Sequence, residues 1–283
     1  MTERVGATLA DRAAAVRAHA KEIRRAIVSM VHHAQSGHCG GSLSAADIVA
    51  ALYFDVMRVD PDRPAMPDRD RFVLSKGHAG PVLYAALALR GYFPADELMT
   101  LRRNDSRLQG HPVSSYLPGV DATTGSLGMG FAQAVGMALE ARLRGSEHRV
   151  FTLLGDGELN EGVVWEACGT AAKYKLERLI AIVDRNNLQN DGKADDVMPM
   201  EPIDRKFEAF NWRVIKVDGH DATAVLSALE EASQPAGRPT CIIARTVKGK
   251  GVSFMEDRRE WHGKPPSDDE LARACEEIEG GCV

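Results

Sequence analysis

The 283-residue sequence lacks several features, each of which would have pointed to a class of function. Its five cysteines, Cys39, Cys168, Cys241, Cys275 and Cys282, are scattered, odd in number and nowhere spaced C-x-x-C. That excludes a disulfide framework and a structural zinc site, and implies the reduced thiols of a cytoplasmic protein. Positive charge is not in excess: 35 Lys and Arg face 40 Asp and Glu, for a formal net charge of -5, and no basic block occurs. Nucleic acid is therefore not an expected partner, and an anionic ligand needs a local device such as a metal ion or a helix N-terminus. No apolar run reaches membrane-spanning length, so no membrane is expected. Cys282, one residue from the end, does not fit a prenylation signal. The Ala- and Arg-rich N-terminus is not a transit peptide, because Glu3, Asp11 and Glu22 lie within it.

The common signatures of nucleotide binding and hydrolysis are missing too. There is no G-x-x-x-x-G-K-[ST], since Gly249-Lys250-Gly251 lacks the spacing; Gly125-Ser126-Leu127-Gly128-Met129-Gly130 is not G-x-G-x-x-G; and no G-x-S-x-G elbow is present. Internal repeats, low-complexity segments and an interdomain linker are absent. With 44% hydrophobic and 27% charged residues, the chain has the mixture and core of one large globular domain over 1–283.

What is present is a helical first half and an alternating second half. Leu9, Ala13, Val16, Ala20, Ile23, Ile27 and Met30 recur at steps of four and three, predicting an amphipathic helix over about 8–34. A glycine-rich turn, Ser36 to Ser42, precedes a helix expected to start at Ser44, with Asp47 completing an approximate capping box, and to run to about Met57. Phe72-Val73-Leu74 reads as a short buried strand, Ala79 to Arg90 as a helix, and Arg102 to Thr124 as a long irregular loop of the kind that carries function. Apolar runs then follow at Val150–Leu154, Leu179–Val183, Trp212–Val217 and Cys241–Ala244, separated by helices at about Gly162–Tyr174 and Ala222–Ala232. A last acidic helix is expected over about 268–278. Continuous apolar strands between helices mean an α/β fold: a doubly wound, mainly parallel sheet with helices on both faces.

In such a sheet, ligands bind beyond the carboxyl ends of the strands. Gly155-Asp156-Gly157 ends one run and Asp184-Arg185-Asn186-Asn187 the next, with thirty residues between Asp156 and Asn186. A crossover of that length brings both to one sheet edge. A carboxylate and an amide oxygen there suit a hard cation such as Mg²⁺, which keeps positions open for phosphate oxygens. The flanking glycines let backbone approach, and the following helix is expected to aim N–H groups at the anion. Taken singly, Asp156 could be a helix cap and Asn186-Asn187 a turn. Of nine histidines, four sit beside glycine in loops: His38, His78, His111 and His262. Imidazoles so placed can shuttle protons or hydrogen-bond phosphates and sugar hydroxyls. His19, His32, His33 and His148 read as structural or surface groups on helices or at a helix end, and His220 as part of a helix-entry turn.

Gly155-Asp156-Gly157-Glu158 followed by Asn186 resembles the thiamine-diphosphate motif. Around it, Ser36-Gly37-His38-Cys39-Gly40-Gly41-Ser42, the segment Asp70 to Ala79, Gln109-Gly110-His111-Pro112, Thr124 to Gly130, Val247-Lys248-Gly249-Lys250-Gly251 and Trp261-His262-Gly263 resemble the transketolase family in one order, over about 20–265. The resemblance implies a thiamine-diphosphate-binding fold and roles by position. Asp156, Asn186 and the Leu188 carbonyl would hold Mg²⁺, or Ca²⁺ or Mn²⁺ in its place. Gly155, Gly157, Glu158, His78, Gly125, Leu127 and His262 would line the cofactor. His38, His111 and His262 would contact substrate hydroxyls or move protons, and Glu161 would join a cofactor-activating network between subunits. Cys39 and Ser126 stand where the family usually has Pro. Family members ordinarily continue into a second domain that grips the aminopyrimidine and supplies a Glu. This sequence ends at Val283, which implies a homologous partner subunit within a heterotetramer, and ketol transfer between sugars or sugar phosphates. The alternatives are a deoxyxylulose-phosphate synthase, a non-catalytic scaffold of the same fold and the α subunit of a 2-oxoacid dehydrogenase. The loop histidines favour transketolase.

Overall fold

In the computed structural model, which describes residues 6–281, alternate residues of each strand enter two separate cores. Glu3 and Cys282 lie outside the described residues. The five strands are β1 (Arg71–Leu74), β2 (Val150–Gly155), β3 (Leu179–Arg185), β4 (Arg213–Asp218) and β5 (Thr240–Arg245). They form one all-parallel sheet in the order β1-β2-β3-β5-β4. Phe72, Leu74, Phe151, Leu153, Ile180, Ile182 and Ile242 point into one core, and Val73, Val150, Leu154, Leu179, Ala181, Val183 and Ile243 into the other. The period of two, with apolar residues on both faces, is what a sheet covered by helices on both sides requires.

The helices are α1 (Leu9–Ala34), α2 (Gly40–Ser44), α3 (Ala46–Ala51), α4 (Gly80–Arg90), α5 (Met129–Arg144), α6 (Gly162–Lys173), α7 (Ala194–Val197), α8 (Ile203–Ala209), α9 (Ala222–Ala232) and α10 (Asp268–Gly280). Residues of α1, α3, α4 and α9 join the first core, and those of α5, α6 and α8 the second. The chain therefore reaches β3 by a helix on one face (α6) and returns from β4 to β5 by a helix on the other (α9). The winding reverses between β3 and β5, and that reversal opens a crevice at the carboxyl edge of the sheet.

The expected α1 stripe is buried from Ala13 to Met30, with Thr8 and Asp11 forming a capping box, while Leu9 is exposed. α10 begins at a Ser267–Glu270 capping box and buries Ala274 and Ile278 in the first core. One predicted element is corrected. Ser44 does not cap a helix running to Met57: it is the last residue of α2, and its hydroxyl points into the sheet edge to bond Asp184 (2.5 Å). Beyond it α3 gives way to a π-helical turn, Leu52–Val56. Asp47 does not close a capping box either; it pairs with Arg24 of α1. Residues 102–124 carry no helix or strand, and no helix among the described residues is long and apolar enough to cross a membrane.

Candidate active site

The carboxyl ends of β2, β3 and β5 deliver Asp156, Asn186 and Thr246 to one edge, because Gly155 pairs with Asp184 and Arg185 with Arg245 in the ladder. Asp156 is buried; its Oδ1 accepts from the Gly157 amide (2.8 Å) and its Oδ2 from the Asn187 amide (2.6 Å), with Arg185 at 3.5 Å. Burial, reinforced by Asp184, still pushes its carboxyl up to about 6. A buried carboxylate raised in this way despite Arg185 gains from a bound cation. A 3₁₀ turn, Gly157–Asn160, stands between Asp156 and α6, which starts at Gly162 as expected. The amides after Asp156 are therefore those of a tight turn rather than of a helix N-terminus.

Asp184 organises this edge from beneath. It is wholly buried and accepts from Lys76 Nζ, Thr246 Oγ1, Ser44 Oγ and Asn186 Nδ2 (3.2 Å). Burial alone would raise its pKa, but Lys76 above all holds it below the usual carboxylate range. Because Asn186 gives its NH₂ to Asp184, its Oδ1 faces the other way, toward the Leu188 amide (3.1 Å). The Leu188 carbonyl accepts from Lys248 Nζ (3.1 Å), which also donates to Nδ1 of His262 (2.8 Å). An ammonium thus lies on one of the oxygens expected to hold a metal.

Above this floor three of the four glycine-flanked histidines meet. The rings of His38, His78 and His262 stand 5.2–5.3 Å apart, centroid to centroid, in a closed trio. Burial first, then the nearby cations, pushes His38 down to about 4, His78 to about 2 and His262 to about 3. All three are neutral imidazoles near pH 7, able both to donate and to accept a proton. His111 is more exposed, against Gly125, with its pKa lowered by burial and by Arg102. Leu127 and Gly125 lie in the partly open loop before α5, while Glu161 stands exposed at the N-terminus of α6 without a side-chain bond. Glu158 turns inward: its carboxylate takes Ser75 Oγ (2.5 Å), the Gly128 amide (2.7 Å) and the Gly155 amide (3.1 Å), so it ties the loop to the start of α5.

Lys76, Asp184, Thr246 and Lys248 belong to this site, yet sequence reasoning gave them no role. Each follows or ends a strand, and that position was the available signal. His148 lies in the loop that follows the end of α5. His220 is in the turn after β4, where its ring bonds Asp47 and the Val247 amide. Beyond the strand ends a cleft of about 730 Å³ is lined by Asn186, Leu188, Arg245 and Lys250 among others.

The residues fit a bound diphosphate and a cation. Buried polar atoms without a protein partner gather here: His38 Nδ1, Thr124 Oγ1, Asn187 Oδ1 and Gln189 Nε2. The donor set of one carboxylate, one amide oxygen and one carbonyl is all oxygen, as a hard cation requires. Sheet, crevice and donor set together define an α/β domain built to hold an anionic cofactor at a winding switch point.

Residues 15–279 match the family described as transketolase, thiamine diphosphate binding domain, and the chain belongs to that family. It is 44% identical over 260 residues to a 6-deoxy-6-sulfo-D-fructose transketolase subunit of Clostridium sp. strain MSTE9, and 46% identical over 260 residues to an apulose-4-phosphate transketolase subunit of Actinobacillus succinogenes. In both cases the match covers 92% of this chain and 94% of the relative, so the chain corresponds to the N-terminal subunit of a split transketolase. The transketolase of Leishmania mexicana has a similar structure, with a TM-score of 0.89 and 35% identity. That match covers 93% of this chain and 41% of the other, so this chain spans about two fifths of that longer enzyme.

Proposed function

We propose that the chain is the N-terminal subunit of a two-subunit transketolase that moves a two-carbon ketol unit from a ketose to an aldose, using thiamine diphosphate and Mg²⁺. The observation that supports this reading is the delivery of Asp156 and Asn186 to one sheet edge, next to Lys248, which joins the Leu188 carbonyl to His262 of the three neutral imidazoles.

Asp156, Asn186 Oδ1 and the Leu188 carbonyl would hold the cation, with Ca²⁺ or Mn²⁺ able to replace Mg²⁺. Lys248, which donates to the Leu188 carbonyl, and Lys76 would offset the charge of the diphosphate. Gly155 and Gly157 leave room beside that charge, and Gly125, Leu127, Glu158, His78 and His262 form or brace the cofactor wall. Thiamine diphosphate, when bound, supplies the carbanion chemistry of the transferred unit. The chain's share is proton handling: His38, His111 and His262 would give and take protons at substrate hydroxyl and carbonyl oxygens. Neutral rings at pH 7 support that role. Glu161, exposed at the start of α6, would meet the partner subunit. The partner, of homologous fold, would supply the Glu that engages the aminopyrimidine and complete a heterotetramer in the cytoplasm. The split relatives named for a sulfonated ketose and for apulose-4-phosphate support a specialised ketose with an anionic tail as donor.

The test is calorimetric titration of thiamine diphosphate with Mg²⁺ into the chain, alone and with its transketolase-like C-terminal partner, followed by assay of ketol transfer. Tight binding and transfer in the mixture are expected. Binding in neither case would count against the reading and in favour of a scaffold.

A further inference from the structure

Residues 246–251 carry Lys248 to the Leu188 carbonyl and to His262. Their backbone is gripped from behind by two side chains, Arg24 and His220, joined through a third, Asp47, and the proposed chemistry uses none of the three. We propose that Arg24, Asp47 and His220 are positioning residues that set this loop, and through it Lys248, for the diphosphate and its cation. The proposal rests on the reading of the site given under Proposed function.

The grip has a defined sense. The Val247 amide can only donate, so His220 Nε2, 2.8 Å away, is the acceptor. The ring proton then lies on Nδ1 and is donated to Asp47 Oδ2 at 2.7 Å. Asp47 is buried in α3 and also takes both terminal nitrogens of Arg24 from α1, at 3.2 and 2.5 Å. The remaining Arg24 nitrogen, Nε, donates to the Lys250 carbonyl at 3.1 Å. One chain of bonds thus leaves a single carboxylate in two directions and closes on the same loop on either side of Lys248. A pair serving only to join α1 to α3 would need neither His220 nor the Lys250 carbonyl. Here both outward valences are aimed at one short segment. Between these two contacts the Gly249 amide is held by the Gly40 carbonyl (3.0 Å), so Lys248 is presented from a backbone fixed at three points.

Two amide substitutions separate the contacts. In His220→Gln the side-chain amide reaches where Nε2 lies, so its oxygen can still accept from Val247. In His220→Asn the amide reaches only where Nδ1 lies and keeps Asp47 alone. The full chain with its partner subunit is titrated with thiamine diphosphate and Mg²⁺ by calorimetry. Single-residue hydrogen exchange at Val247 and Tm without cofactor are measured on the same samples. We expect His220→Asn to bind roughly ten- to a hundredfold more weakly, the scale seen for groups that orient metal ligands, and to exchange Val247 faster. His220→Gln should stay within about threefold of wild type, since it keeps the acceptor. Wild-type affinity in His220→Asn, or equal losses of affinity and Tm in both variants, would overturn the proposal and leave His220 a structural group. Absence of binding by the wild-type complex would overturn the functional reading, and this inference with it.

Discussion

Asp156 and Lys248 are the residues whose ionisation the site depends on, and they titrate on opposite sides of neutrality. Burial and Asp184 hold Asp156 up to about 6, above its value in an unfolded chain. A carboxyl with a raised folded pKa gains protons on folding, so its ionisation costs stability above that pKa, and the cost fades as pH falls through it. Asp156→Asn should therefore stabilise the cofactor-free chain at pH 8 by on the order of 2 kcal/mol, with little effect at pH 4. Thermal unfolding at the two values checks this, and calorimetry should show metal-dependent cofactor binding abolished in the same variant. Lys248 is lowered to about 8, by burial first. A lysine with a depressed pKa keeps its charge only below it, so cofactor affinity should decline as pH rises beyond about 8. Lys248→Met should lose that decline and bind about tenfold more weakly at pH 7, as removal of a charge-assisted hydrogen bond implies. Titrations at pH 7 and 9 would decide it.

At the scale of elements, the loops are fixed more tightly than their glycine content suggests. Gly249 has a φ of +80°, and a Cβ there would lie 2.3 Å from the Met255 carbonyl oxygen. Gly249→Ala should cost about 1–3 kcal/mol for the backbone conformation alone, more with the clash, and should weaken cofactor binding because Lys248 is the preceding residue. Gly136 is the contrasting case: it lies exposed inside α5 with nothing within 4 Å of an added Cβ. Gly136→Ala should raise stability by about 0.5–1 kcal/mol, since the helix conformation suits Ala and the unfolded chain loses freedom. Denaturant midpoints for the pair test whether loop geometry or glycine number sets stability. The strands explain why the loops can be held: each ends within the ladder of its neighbour, so five loop starts share one rigid edge.

For the whole molecule, the reversal of winding between β3 and β5 puts the site at the sheet edge, facing outward rather than inside a closed cavity. A cofactor bound there would leave part of its surface to be covered by something else. Mixing with the partner subunit should therefore tighten cofactor binding at least tenfold and bring ketol transfer from undetectable to measurable. Removing Mg²⁺ with EDTA should release the cofactor from the complex. Sedimentation of the mixture should give a species of two copies of each subunit. Transfer at full rate by this chain alone would contradict the split arrangement.

The parallel α/β architecture was legible before any folding was considered, because fully apolar strands between amphipathic helices have no other way to bury both faces. So were the placing of Asp156 and Asn186 one crossover apart, the glycine-flanked histidines, and the family. These signals are local, carried by period, spacing or short motif. The assembly of the site was not legible in this way and came from the folded chain. Lys76 meets Asp184 across 108 positions and His220 meets Asp47 across 173, and no periodicity encodes such pairings. Ser44 illustrates the difference. By local rule a serine ahead of an apolar run is a helix cap, but the buried Asp184 carboxylate needs donors more than a helix end open to other partners does. Burial therefore chose the partner, and burial exists only once the chain has folded.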